Sequence, residues 1–599
     1  MSVGEKLNSF IFKNQRVISR TLRVLILLIS LLTVAALIYY HGFNHTQEYR
    51  SSIFNIIKLF YGFFILNFAL KIFFTLDRKE FIRTNWVETI LLLIVSYDVI
   101  SHYLFGVPLL HKIFEALNLG HFNTLYTLFI QFYLLILVFI EFIRNYKDFN
   151  RIKIKPATLF NFSFIILILG GAFLLSLPGM NTTGKFLNFT DALFLSASAS
   201  CVTGLSTLDV SSFFNTKGHI ILLILIQLGG IGILTFATFF ATFIKKGIGL
   251  KHENAIKSLT DSEHLSGAHG LLRPIIFFTL AFEAISAIGV YSLWGDTPFQ
   301  SHEEKIFHSI FHAVSAFNNA GFSLYVDGLH TEGLRHLYIL HLLIAITIFF
   351  GSLGFPAFKD MFNRENIKQR MAQPWRRWKL STRIAFFTGL FLVFLGAIAF
   401  YLLEQNNTLK GMKPVEAAIT SIFQSTTTRT AGFNTVNFGD LTTQTILLVL
   451  FLMFIGASSG STGGGIKTST FVIIFIALWG TVKGKRQFTL AERNIPKEII
   501  LKAFSIFIFS ATFVFLVIFA LTFTDGEKPL LTLIFEAISA FATVGLTMGI
   551  TMTLSTAGKL ILVLTMFAGR VGLLSLALSL SSEEKNVNYR YPDTHIMIG

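Results

Sequence analysis

The chain has 599 residues, a mean hydropathy of +0.65, 53% apolar and 15% aromatic residues, a composition that excludes an ordinary soluble domain and requires many membrane-spanning helices. Its 49 Lys and Arg against 33 Asp and Glu leave a formal net charge of +16. The basic residues cluster between apolar runs, as cytoplasmic loops require, which argues against nucleic acid as a partner. A single cysteine, Cys201, excludes an intrachain disulfide and a cysteine-based metal cluster.

Residues 1–20 are basic and are followed by no small-residue cleavage site, so they read as a cytoplasmic tail and not as a signal peptide. Spans are predicted near 21–40, 53–76, 86–105 and 125–143. Arg78, Lys79 and Arg83 follow the second span, and Arg144, Lys147, Arg151, Lys153 and Lys155 follow the fourth. Both ends of this N-terminal four-helix transmembrane bundle, residues 1–156, are therefore expected inside. The fourth span carries no arginine ladder at three-residue spacing, which favours an accessory bundle over a voltage sensor.

From residue 157 one pattern returns four times, around Gly204, Gly321, Gly432 and Gly545. Each copy has an apolar residue ten positions before the glycine, Ser or Thr six before, Leu or Phe just after, and Ser, Asn or Thr next. The spacing, about 115 residues, marks an internal repeat. Each unit reads as span, short helix, glycine loop, span, with paired spans at 158–177 and 220–243, 274–294 and 337–358, 384–403 and 445–478, and 499–523 and 559–580. The expected segments are repeats 157–250, 251–372, 373–490 and 491–580, then a cytoplasmic tail at 581–599.

Connections between repeats are basic, including Lys245, Lys246, Arg364, Arg370, Arg376, Lys485 and Arg486, whereas the glycine hairpins carry Asp191, Asp209, Glu303, Glu304, Asp525 and Glu527. All four hairpins are thus expected to enter from the outer side. Parallel repeats favour a pore over the inverted repeats of many secondary transporters. The expected fold is an all-α polytopic membrane protein in which four tandem M1-P-M2 repeats (helix, pore helix and filter loop, helix) surround one pseudo-fourfold pore.

A cation leaving water needs oxygens in place of its hydration shell, and backbone carbonyls supply them where the chain adopts unusual dihedrals. Glycine reaches left-handed conformations at little steric cost. The C-terminal partial charge of each short helix favours a cation nearby. The run Gly456 to Thr468, with so many glycines and hydroxyls in mid-span, cannot remain helical and is tolerated at depth only beside a water-filled path. It is no phosphate-binding loop, because Ile466 separates Gly465 from Lys467 and no strand precedes it. No histidine pairs with Ser458 or Ser459 as in a serine protease, so no enzyme is expected. Arg570 and Glu283 lie inside apolar spans and need partners or water. Arg429 is expected to turn away from the axis, with Glu536 as a partner, and His308 and His312 to make ordinary hydrogen bonds and not to ligate metal.

The four hairpins, with Thr428 to Asn434 reading TRTAGFN and Phe535 to Thr547 reading FEAISAFATVGLT, resemble the Trk/Ktr/HKT superfamily of potassium transporters, in particular its bacterial TrkH/KtrB type of membrane subunit. The resemblance covers about residues 155–581. It implies a selectivity filter built from the backbone of Val202, Thr203, Gly204 and Leu205, of Asn319, Ala320, Gly321 and Phe322, of Thr430, Ala431, Gly432 and Phe433, and of Thr543, Val544, Gly545 and Leu546, with potassium held by carbonyls. Glycine at position 204 resembles the potassium-conducting type, serine there the sodium-favouring one. It further implies a gate made of Gly456, Gly460, Ser461, Thr462, Gly463, Gly464, Gly465 and Lys467 together with Arg570. The family pattern also implies a homodimer in the inner (plasma) membrane, its N-terminus cytoplasmic, with membrane lipid around it and a ring of cytosolic nucleotide-binding subunits of TrkA/KtrA type. The chain itself has no dinucleotide fingerprint, since Gly230-Ile231-Gly232 lacks the third glycine, and no cofactor is expected in it. Potassium uptake is the expected function. A sodium-permeable or sodium-dependent transporter of the same fold, and a secondary transporter or sensor centred on the N-terminal bundle, are the alternatives.

Overall fold

The computed structural model describes residues 3–73, 78–84, 156–243, 272–295 and 301–580, with Trp86, Thr89, Phe299 and Pro592. The expected spans at 86–105 and 125–143, the basic run 245–257 and the tail 581–599 lie almost wholly outside the described residues. The chain divides into two compact units, residues Met1–Lys153 with Leu177–Phe186, and Ile154–Ser176 with Leu187–Gly599. In the first, α1 (Val3–Gly42) packs on α2 (Gln47–Phe73), which leads to the short α3 (Arg78–Thr84). Gly179 lies so close to the backbone of His41 and Gly42 that a side chain there would collide.

Among the described residues the regular secondary structure of the second unit is helical apart from a two-residue ladder, β1 (Thr489–Leu490) against β2 (Arg493–Asn494), turned at Ala491 and Glu492, both with positive φ. Among the described residues its helices of eight or more residues are α4 (Pro156–Ser176), α5 (Phe189–Ser200), α6 (Thr216–Phe243), α7 (Leu272–Leu293), α8 (His302–Phe317), α9 (Tyr338–Leu353), α10 (Phe355–Phe362), α11 (Arg364–Ala372) and α12 (Leu380–Glu404). There follow α13 (Pro414–Thr427), α14 (Thr443–Phe454), α15 (Thr468–Val482), α16 (Lys497–Thr524), α17 (Leu530–Ala542), α18 (Thr556–Val571) and α19 (Leu573–Leu580). Among the described residues five helices are long and apolar enough to cross a membrane, or six if α9 and α10 count as one bent span.

Four short helices, α5, α8, α13 and α17, are almost wholly buried along their C-terminal halves. Their starts are set by local chemistry. Asn188 accepts from Thr190 N–H and Ser301 from Glu304 N–H, while Pro414 and Pro529, which have no N–H to lose, open the other two. Each short helix packs on the long helix before it, and α5, α8 and α17 also pack on the helix after their loops.

The third helix of each set also packs on the short helix of the next: α6 on α8, α9 on α13, α14 on α17, and α18 back on α5. The arrangement therefore closes on itself. A separate apolar cluster fills each junction, with Phe194 and Met566 between the last and first sets, Leu195 and Phe311 between the first and second, Leu340 and Phe433 between the second and third, and Val449 and Phe535 between the third and fourth. The last-to-first junction also carries an ion pair, Lys559 Nζ to Asp191 Oδ1 at 2.7 Å.

Two spans expected to be continuous are broken. The 337–358 run stops at Gly354 (φ +84), and α10 leaves α9 at 99°. A Cβ at Gly354 would lie 2.8 Å from Ser459 O and 2.9 Å from the Gly460 carbonyl carbon, so another segment occupies the space a straight helix would need, and Pro356 starts the new helix without an N–H. The 559–580 run breaks at Gly572 (φ +86) between α18 and α19.

Candidate functional site

The glycine loops follow the C-termini of the four short helices, where unpaired carbonyls carry partial negative charge. Gly204, Gly321, Gly432 and Gly545 all have positive φ, from +72° to +96°. A Cβ at Gly204 would stand 2.5 Å from Ala320 O and one at Gly321 2.6 Å from Ala431 O; at Gly432 and Gly545 it would press still harder on Val544 O and Thr203 O. Each loop thus lays the carbonyl before its glycine into the notch left by a neighbouring glycine, in the order one, two, three, four and back to one. The sixteen residues named from sequence are brought together around one axis, and apart from three of the glycines all are buried.

The sequence reasoning missed a second feature of these loops. Val202, Asn319, Thr430 and Thr543, each two positions before its glycine, also have positive φ, between +51° and +73°. Such a conformation costs about 1–2 kcal/mol for an L-residue and is least suited to a β-branched one such as valine. Left-handed residues two positions apart, with none between them, break the regular side-to-side alternation of a strand in each loop. Hydrogen bonds hold this conformation in place. Thr203 N–H donates to Ser198 O (2.7 Å), Ala320 N–H to Ser315 O (2.7 Å) and Val544 N–H to Ser539 O (2.9 Å).

The hydroxyls six before the glycine secure three loops. Ser198 and Ser539 accept from Gly204 and Gly545 N–H at 3.0 and 3.1 Å, and Ser315 donates to Phe322 O at 2.8 Å. Loop three departs from the sequence alignment. Thr426, six before Gly432, bonds back to Ile422 O, and the role passes to Thr427, which donates to Phe433 O at 2.6 Å and accepts from Ala431 N–H at 3.0 Å through its carbonyl. The docking serines confirm the offset. Ser196, eight before Gly204, donates to Ile168 O (2.6 Å), and Ser425, seven before Gly432, to Val393 O (2.7 Å). One residue is missing from loop three between its helix and its glycine.

Three further glycines were overlooked. Gly229, Gly351 and Gly569 sit where a Cβ would run into Ser200 O, Phe317 O and Phe541 O, the carbonyls near the ends of the short helices. The available signal was a glycine inside the third helix of the first, second and fourth sets.

Between α14 and α15, Ile455 to Lys467 form a non-helical loop closed by a bridge from Ile455 to Ile466. It lies against two glycine loops. Gly464 N–H donates to Thr543 Oγ1 at 2.9 Å, and a Cβ at Gly463 would meet Thr430 Oγ1. On its other side it is pinned to the α9–α10 break: Ser458 N–H donates to Ser352 O (3.0 Å), Phe355 N–H to Gly460 O (3.1 Å) and Thr462 Oγ1 to Gly351 O (3.3 Å). Gly460 is exposed and Ser461 and Gly465 half-buried, while Gly456 leaves room for Gly464 O. Lys467 Nζ donates to Gly463 O. Arg570 is close enough to repel it electrostatically and donates to Gly229 O, with Gly230 O at 3.5 Å.

Arg429 turns away from the axis, but not to Glu536. It donates to Gly389 O at 3.1 Å and Gly456 O at 3.4 Å, so backbone carbonyls of α12 and the interrupting loop take the place of the expected carboxylate. Glu536 is taken by Thr547 and Thr551. Glu283 accepts from Gln227 Nε2 (3.2 Å) and Asn318 Nδ2 (2.9 Å), tying α6 and α7 to the end of α8. His312 bonds to His308 O and Ser323, and no cluster of three or more potential metal ligands occurs among the described residues.

Apolar helices of spanning length, and glycine loops gathered on one axis behind buried short helices, define a polytopic helical membrane protein of the transport class. The chain matches the TrkH family, described as cation transport protein, over residues 126–589, and it belongs to that family. Similar proteins include the Ktr system potassium uptake protein B of Bacillus subtilis, 37% identical over 76% of this chain and 99% of that one. The potassium/sodium uptake protein NtpJ of Enterococcus hirae is 33% identical over 75% and 98%. The crystal structure of the potassium transporter TrkH from Vibrio parahaemolyticus shares the fold, with a TM-score of 0.60 at 18% identity over 82% of this chain and 97% of that one.

Proposed function

We propose that the protein takes up potassium across the inner membrane through the ring of four glycine loops, the backbone carbonyls replacing the ion's water. The observation that carries this reading is the cyclic interlock of each glycine with a neighbouring loop's carbonyl, which leaves backbone oxygen, and not ionisable side chains, to face the axis. Four M1-P-M2 repeats around that axis, all entering from the outside, are the architecture it requires, with α1 and α2 part of an additional N-terminal bundle.

The loop from Gly456 to Lys467 is the barrier in this reading. It abuts Thr430 and Thr543 at the end of the carbonyl stretch, and the Lys467 and Arg570 charges beside it oppose a cation while it stays in place. The chain is read as one half of a homodimer, with a cytosolic nucleotide-binding ring on the basic inner surfaces and the N-terminus inside. No cofactor is assigned to the chain itself.

A sodium-permeable or sodium-dependent transporter is the second reading, favoured by the name of the Enterococcus relative and disfavoured by glycine at position 204. Tracer rubidium uptake in cells lacking their own potassium systems, with sodium and proton gradients varied separately, tests both. Saturable rubidium uptake that sodium neither competes with nor drives supports the first reading. Sodium uptake of equal rate, or a strict need for sodium, supports the second.

A further inference from the structure

Behind loops two, three and four, a polar side chain of the short helix reaches the outer end of its own loop, while loop one has none. His312, nine before Gly321, has Nε2 3.0 Å from the Ser323 hydroxyl and Nδ1 2.8 Å from His308 O. A carbonyl only accepts, so in the neutral ring Nδ1 carries the proton and Nε2 accepts from Ser323. Glu536, nine before Gly545, accepts from the hydroxyl of Thr547 and, at 2.9 Å, from that of Thr551. Gln424 is their counterpart once the missing residue of loop three is counted, and it donates to Thr435 Oγ1 at 2.8 Å. All three side chains have no exposed surface.

Loop one supplies the comparison within the same molecule. The equivalent of His312 and Glu536 is Leu195, which offers no hydrogen bond, and Ser206 turns its hydroxyl back to Leu208 O. The other half of the contact is shared: Ser206, Ser323 and Thr547 each accept from the N–H two residues on, at 3.3, 3.2 and 3.0 Å. Only the side-chain tie from the short helix to the outer end of the loop is lost in loop one.

We propose that His312, Gln424 and Glu536 are positioning residues for ion selectivity. Each ties the outer end of its loop to a rigid helix and so fixes the spacing of the carbonyls. Glu536 does this most firmly, because one carboxylate oxygen holds two hydroxyls, and loop one, which lacks this outer tie, is the compliant quarter. The inference rests on reading the four loops as the ion path. Removing one partner from a buried pair leaves the other unsatisfied, so the loop has reason to leave its position.

The test measures rubidium and sodium uptake, with the amount of membrane-inserted protein, for the full-length wild type and the variants Glu536→Leu, Glu536→Gln and Thr547→Val. Glu536→Leu, which copies loop one, is expected to lower the rubidium-to-sodium uptake ratio about tenfold, and Thr547→Val to act in the same direction. Glu536→Gln keeps an accepting oxygen and is expected to stay within about threefold of wild type. The double variant Glu536→Leu/Thr547→Val should equal Glu536→Leu, because Glu536→Leu already removes the bond that Thr547→Val removes. If Glu536→Leu fails to insert, Thr547→Val decides, since it removes a hydroxyl and little volume. Wild-type ratios in the inserted variants overturn the proposal while leaving the ion path standing. Absence of rubidium uptake by the wild type overturns the ion path, and the proposal with it.

Discussion

Gly204→Ser tests the carbonyl ring most directly. At φ +96° any L side chain strains the backbone, by about 1–2 kcal/mol. The new Cβ would also stand 2.5 Å from Ala320 O and 3.3 Å from Gly321 Cα, so reaching ordinary contact near 3.4 Å demands a retreat of loop two by about 0.9 Å. Working sites tolerate displacements of only about 0.5 Å. The substitution therefore moves a proposed coordinating carbonyl out of place even where the protein still folds, and the rubidium-to-sodium uptake ratio should fall at least about tenfold. Gly411→Ser separates strain from displacement, because Gly411 has φ +87° and nothing within 4 Å of its Cβ position. Uptake by both variants, normalised to membrane-inserted protein, is the assay. A Gly204→Ser protein that matches Gly411→Ser in rate and selectivity would refute the reasoning.

Removing residues 460–464 takes away the Gly464 bond to Thr543 and the Gly460 bond to Phe355, and basal rubidium uptake is expected to rise severalfold; an unchanged or lower flux in inserted protein counts against the barrier. Asp525, at the end of α16, supplies a pH dependence. Burial alone would raise its pKa, but the Ser555 N–H, the Thr524 and Ser555 hydroxyls and the Lys528 charge outweigh this and hold it below the ordinary value. A folded pKa below the unfolded one means the carboxylate's contribution is complete above about pH 4 and is lost as pH falls through the folded value. The thermal midpoint of purified protein should therefore drop on acidification below that range, and Asp525→Asn should lower it at neutral pH and flatten that drop.

The helical class, the short helices and the glycine positions were legible because apolar runs, caps and glycines act locally. Gly204, Gly321, Gly432 and Gly545 could be read as a set since only glycine leaves the notch that a neighbouring carbonyl fills. The positive φ at Val202, Asn319, Thr430 and Thr543 could not, because valine and threonine do not favour that conformation and it is imposed by surrounding hydrogen bonds. Arg429 misled for a related reason. Sequence suggests a carboxylate for a buried guanidinium, but a carbonyl within α12 and one in the interrupting loop serve instead, and backbone acceptors leave no mark in composition. Gly354 and Pro356 were local signs of a break, but the 99° bend could not be read because the segment around Ser459 that occupies the straight path lies about a hundred residues away.

The residue absent between Thr427 and Ala431 means the four quarters cannot be superposed one upon another. A conductor assembled from identical subunits treats every spoke alike, so a lesion in one predicts a lesion in all. Along the proposed ion path the shortened third spoke makes the surroundings lopsided, and the same replacement made at four matching positions amounts to four separate experiments with four separate answers.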